Sequence, residues 1–340
     1  MDGLLKNKKW LRFLVLACIM VPLAIFILQT DFRLVWREME KIGFRFIYLL
    51  ASTFVAYLLG TFAWWVCLAD ERKRIGLFQL FSVRQIGETV GLYNPTSIVG
   101  GDLLKNELLK AYHISRKIAS TSIVISRITV VLSQLLLFIV GASWLLFFAA
   151  SSMPTFLPPL LICLIIFLSL LKLLFFYTLH RKPSPDQKTS NKPTNLWTTF
   201  SSRLRILLQQ AQAFYQQQPT AFWSSYFLSM LHWLVGSLEF YLILQFLGYD
   251  VRMMHGLLLD MGVIIVKSLG AFVPGQLGVE ELGNKFVLAA VGIHATAVWL
   301  AVSVLRRSRQ LFWILIGILC YACVKKPQAL PLIEHGSTIR

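Results

Sequence analysis

Residues 253–291 read MMHGLLLDMGVIIVKSLGAFVPGQLGVEELGNKFVLAAV, and this stretch decides the fold. An apolar helix starts at Met253, carries Asp260 and Lys267 inside it, and is broken by Pro274, Gly275 and Gly278. Proline removes a backbone donor and glycine frees the chain, so the helix cannot run through. It restarts as a short helix over 280–291 and is followed by a long apolar run over 295–324. The short piece is well below the about 20 residues that a bilayer crossing needs. Irregular backbone at membrane depth is tolerated only where protein covers it or it lines a polar cavity. The pattern therefore predicts a re-entrant broken helix beside a cavity.

The same pattern occurs once before. Residues 77–93 form a short half-apolar helix containing Arg84 and Glu88, Asn94-Pro95 breaks it, Gly100-Gly101 opens a second short helix over 102–112, and a long run over 118–150 follows. A shift of 179 residues superposes the two regions without a gap: Gly91 on Gly270, Pro95 on Pro274, Leu103 on Leu282, Leu109 on Leu288, Ala111 on Ala290, Ile114 on Ile293 and Arg127 on Arg306. Asp102 falls on Glu281, keeping an acid, while Glu88 falls on Lys267, reversing a charge. Break, acid and arginine stay in register, which points to an internal duplication.

Working outward, the 340 residues are 56% hydrophobic and 14% charged, with a mean hydropathy of +0.66. Soluble domains carry about 25% charged residues, so the chain reads as a polytopic membrane protein without room for a full soluble catalytic domain. Full spans are expected over 10–28, 46–69, 118–150, 160–179, 222–247 and 295–324, with Trp64 and Trp65 as an interfacial belt. The net charge of +17 sits in short loops between apolar runs, as in orientation by basic loops, and not as a basic stripe on a soluble face, so nucleic acid is excluded as a partner. Residues 180–205 hold six basic residues against Asp186, and Lys325 and Lys326 follow the last span. The basic start before residue 10 precedes a long run without a small-residue cleavage site, read as an uncleaved helix. Both termini are thereby expected in the cytoplasm, with 196–218 lying on the membrane surface. The domain division is one integral membrane unit over 1–340: a first repeat at 46–150, a linker and surface helix at 180–218, and a second repeat at 220–324. The five cysteines show no zinc pattern and read as packing residues.

Three full spans separate the broken regions, an odd number, so the copies are inverted. The expected fold is all-α, with about six full transmembrane helices and two re-entrant broken-helix hairpins in an inverted repeat. Inverted repeats with broken helices are the architecture of secondary transporters. Arg127 and Arg306 lie about ten residues inside long apolar helices, where a charge normally faces a bundle interior and marks a pathway or a pair. Helix N-termini at Gly101 and Gly278 would aim backbone amides inward, a natural anion site. Together these predict a phosphate-bearing substrate. The structural alternative is that Arg127 pairs with Asp102 or Glu107, and Arg306 with Glu280 or Glu281; Arg307 and Arg309 have no evident partner. Asp102, Glu280 and Glu281 open helices, where acids also serve as caps. Glu88, Lys267, Asp260 and Glu239 are candidates for a coupling-ion or proton route. No metal, nucleotide or hydrolase motif is present, and no cofactor is expected.

Pro95 with Gly100-Gly101-Asp102, and above all Val273-Pro-Gly-Gln-Leu-Gly-Val-Glu280, resemble the paired motifs of the lysylphosphatidylglycerol synthase transmembrane-region family, also described as flippase-like. The resemblance covers roughly residues 10–325. It implies an inner-membrane protein that moves a lipid headgroup between leaflets or assists an enzyme acting on such lipids. The motif positions carry over to Pro274, Gly275, Gly278, Glu280 and Glu281, and through the repeat to Pro95 and Asp102. Bifunctional members continue into a soluble synthase domain, whereas this sequence stops at Arg340, so no aminoacyl transfer is expected of it. The expected partner is a membrane lipid with a phosphate headgroup (an aminoacylated or anionic phospholipid, or a polyprenyl-phosphate-linked glycan). The alternatives are a membrane-embedded transferase using Glu280, Glu281 or Asp102 as general base, or a non-transporting partner of a separate synthase or glycosyltransferase.

Overall fold

The computed structural model describes residues 42–93, 97–149, 157–181, 196–269 and 278–324, with single positions at 33, 37, 40, 155 and 276. Among the described residues the chain is helical, without strands. The helices are α1 (Phe46–Cys67), α2 (Leu77–Tyr93), α3 (Ser97–Leu109), α4 (Arg116–Ala149) and α5 (Leu157–His180). They continue as α6 (Leu196–Gln217), α7 (Pro219–Phe246), α8 (Met253–Leu269), α9 (Val279–Ala290) and α10 (Thr296–Cys323). This is an all-α polytopic membrane protein.

Four helices are long and apolar enough to cross a bilayer: Gly43–Cys67, Arg116–Phe148, Leu157–His180 and Pro219–Phe246. They coincide with four of the six expected spans. Helix α10, expected as a span, has 28 residues, about 42 Å at 1.5 Å per residue, but carries Arg306, Arg307 and Arg309 in its middle and is not one of these four. The expected span over 10–28 lies outside the described residues. Helix α5 is the most lipid-like, exposing Ile166, Phe167, Leu170, Leu171, Leu173 and Leu174.

Helices α1 and α7 make the most extensive helix–helix contact, and they are equivalent under the 179-residue shift. The arms α2 and α3 pack on each other, as do α8 and α9. The first arm of each hairpin also packs against the long helix of the opposite half, α2 on α10 and α8 on α4. An apolar core lies beside each hairpin. Trp64, Leu68, Leu80, Leu109, Ile125 and Phe222 belong to one, and Leu49, Phe240, Leu259, Leu288 and Leu305 to the other. Three crossings (α4, α5 and α7) separate the hairpins, so hairpins that each return to their own side enter from opposite faces.

Two local readings change. Trp64 is not at an interface: it is 3% exposed, and its Nε1 donates to Ser122 Oγ at 3.1 Å. Trp65 alone lies at the helix end, donating to the carbonyls of Arg72 and Ile75. Helix α3 starts at Ser97, which makes Gly101 an interior residue. A Cβ there would collide with the carbonyl oxygen of Gly87, so Gly101 serves the close approach of the two arms and not a helix start. Helix α6 docks its C-terminal half on the bundle through Ala211 and Phe214, while Leu204, Ile206 and Leu207 stay exposed.

Candidate functional site

Each hairpin places a charged cluster against the long helix that follows it. In the first, Arg127 stands eleven residues along α4 and faces Asp102 on α3. The contact is a two-pronged fork, Nε to Oδ2 and Nη2 to Oδ1, each 2.6 Å. Such planar bidentate pairing is the geometry in which arginine also binds phosphate. Lys105, one turn further along α3, bridges the arms: its Nζ lies 2.5 Å from Glu88 Oε1 on α2 and 3.5 Å from Asp102 Oδ1. Arg84, one turn before Glu88, donates from Nη1 to the Tyr57 carbonyl at 2.6 Å and lies over the Tyr57 ring.

This cluster is open. The Arg127 side chain is 40% exposed and that of Glu88 48%. Between them the Lys105 side chain is only 7% exposed, so the accessible groups border a recess walled by a buried cation.

The second cluster is closed. The Arg306 guanidinium, 4% exposed, reaches three carboxylates: Glu280 Oε1 at 3.1 Å, Glu239 Oε2 at 3.1 Å and Asp260 Oδ1 at 3.2 Å. The Phe240 ring centroid lies 4.2 Å from its Cζ. Lys267 Nζ closes the hairpin arms onto Glu280 Oε2 at 3.1 Å. Arg307 Nε holds Glu281 Oε1 at 2.8 Å and its Nη2 donates to the Gln276 carbonyl. Arg309 Nε lies 2.6 Å from Glu239 Oε1, and its Nη1 donates to the Tyr57 hydroxyl at 3.4 Å. Arg307 and Arg309, without evident partners in the sequence, are therefore both consumed. Among the described residues four cations meet four carboxylates, and their charges cancel.

The difference is written in the register. Glu239, Asp260 and Glu280, which enclose Arg306, fall 179 residues after Gly60, Phe81 and Gly101. The first half has no side-chain carboxylate at those places, so Arg127 keeps Asp102 and an open side. Both hairpins are clamped by an ion pair across their arms with opposite polarity, Glu88 with Lys105 and Lys267 with Glu280. Gly278 is the residue before α9, with φ +78°, so that helix begins where the sequence places it. Its first turn holds Glu280 and Glu281, whose carboxylates turn to the arginines. Pro95, Pro274 and Gly275 lie outside the described residues.

Sequence reading missed Lys105, Arg84 and Tyr57 as members of these clusters. For Lys105 and Arg84 a signal existed, since each stands one helical turn from a charged candidate. For Tyr57 there was none.

A model of the family described as Lysylphosphatidylglycerol synthase TM region matches residues 10–317. No curated protein and no solved structure matches the chain.

Proposed function

The chain belongs to the lysylphosphatidylglycerol synthase TM-region family, and from that premise we propose that it moves a phosphate-bearing lipid between the leaflets of the inner membrane. The observation that carries this reading is the recess of the first hairpin, where a bidentate-capable arginine is accessible within the bundle. Asp102 occupies the fork of Arg127. A phosphate presents two oxygens in the same geometry and takes the fork over, with Lys105 and Glu88 beside it. The acyl chains stay in the bilayer while the headgroup crosses. The closed second cluster holds its half rigid, so the first hairpin is the moving element. Both termini on the cytoplasmic side are supported by the six basic residues of 180–205.

A transferase is less well supported. A general base must be free to take a proton, whereas Glu280, Glu281 and Asp102 are each held by an arginine.

The test is lipid translocation in proteoliposomes with headgroup-labelled lipids, comparing wild type with Arg127→Ala. Accelerated flipping that the substitution abolishes is the expected result. No flipping of any lipid above empty vesicles overturns the proposal and shifts the reading to a partner of a separate lipid-modifying enzyme.

A further inference from the structure

The charge balance of the open recess narrows the headgroup. Around it, among the described residues, stand three cations, Arg84, Lys105 and Arg127, against two carboxylates, Glu88 and Asp102. Asp102 and Glu88 are taken up by Arg127 and Lys105. Among the described residues Arg84 has no carboxylate within ion-pair distance; its recorded hydrogen bond is to the neutral Tyr57 carbonyl. It lies within electrostatic range of Glu88 and Arg127. The loop between the two arms, residues 94–96, is uncharged in sequence. The second cluster is neutral and offers no compensation. The recess therefore carries one surplus positive charge, and that charge is Arg84.

The protein builds a place for it. Gly60 on α1 leaves the space that the guanidinium fills, for a Cβ there would lie 2.7 Å from Arg84 Nη1. The Tyr57 ring centroid, 5.5 Å from Cζ, adds a cation–π contact. Holding a cation in the interior without a carboxylate is costly unless something else supplies the negative charge. Resting on the transport reading, we infer that the headgroup is net anionic, a phosphodiester without a compensating amine, and that Arg84 sets this selectivity. A monoanionic headgroup brings the recess to neutrality. A zwitterionic headgroup leaves the surplus in place, and a cationic aminoacyl headgroup raises it to two.

The experiment is competition binding to the full chain in phosphatidylcholine nanodiscs. The probe is fluorescent phosphatidylglycerol, net charge −1. The competitors are unlabelled phosphatidylglycerol, phosphatidylethanolamine (neutral) and lysylphosphatidylglycerol (+1). Phosphatidylglycerol is expected to compete roughly tenfold better than either, the order of one charge-assisted contact. Arg84→Gln should reduce that preference to within about threefold, and Arg84→Lys should retain most of it. Gly60→Ala, which keeps Arg84 but displaces its guanidinium, should lower the preference without removing a charge. Thermal unfolding of each variant identifies any loss that comes from misfolding, and Gly60→Ala then decides if Arg84→Gln does not fold.

Equal or better competition by the neutral or cationic lipid in the wild type overturns the inference, as does the absence of headgroup-selective binding. An unchanged preference in both Arg84→Gln and Gly60→Ala overturns the role of Arg84. Flipping is measured in parallel vesicles. Charge-selective binding without flipping overturns the transport reading and leaves the anionic site standing.

Discussion

Arg127 and Arg306 occupy the same place in the two halves and have opposite surroundings. Removing Arg306 leaves Asp260 without its cation in the interior and takes one of two cations from Glu239 and Glu280. Breaking a buried charge network by deleting one partner costs about 3–5 kcal/mol, so Arg306→Ala should lower the thermal midpoint strongly in detergent. Arg127→Ala should cost about 1 kcal/mol or less, since that ion pair is partly exposed, while flipping is lost. Arg127→Lys should also lose flipping, because an ammonium cannot replace the two-pronged guanidinium contact. A midpoint for Arg306→Ala equal to wild type would contradict the enclosed geometry. The arginine register was legible in the sequence, and so were Asp102 and Glu280 as partners. The convergence of Glu239 and Asp260 on Arg306 was not, because they stand 67 and 46 residues away from it on other helices. Helical periodicity orders only near neighbours.

At the scale of elements, the two breaks, the helices flanking them and four spans followed from apolar run length and from Pro and Gly placement. Two boundaries show the limit. Gly278 precedes α9 as read, whereas Gly101 lies inside α3 because contact with α2 demands a missing side chain there. Glycine inside a helix costs about 1 kcal/mol relative to alanine, yet Gly101→Ala should destabilise, since backbone blocks the added methyl. A thermal shift of the variant checks the sign. The arm-to-arm pair gives another check. Glu88→Lys places two ammonium groups together and should impair flipping, and adding Lys105→Glu should restore part of it. A double-mutant cycle over the four proteins measures the coupling, and additive effects would remove the clamp from the account.

At the scale of the whole molecule, each hairpin leans on the long helix of the opposite half, so neither half is complete without the other. Residues 1–190 and 191–340 produced as two polypeptides should therefore copurify, held by α1 on α7, α2 on α10 and α8 on α4. Separate elution of the halves from a size-exclusion column would contradict this interlock. The duplication itself was visible in the sequence as a shift of 179 residues. The exchanged packing was not, because contacts between halves leave no periodic trace.

The replacement of Gly60, Phe81 and Gly101 by Glu239, Asp260 and Glu280 in the second half has an energetic corollary. In a perfectly repeated inverted carrier, swapping the shapes of the two halves turns the inward-facing form into the outward-facing one without any change in energy. Here the swap would have to open a neutralised cage on one side and build one without acids on the other. On the transport reading the two forms should therefore differ in energy, with the form facing one leaflet favoured. Lipid added to that side alone should then reach the recess faster than lipid added to the other.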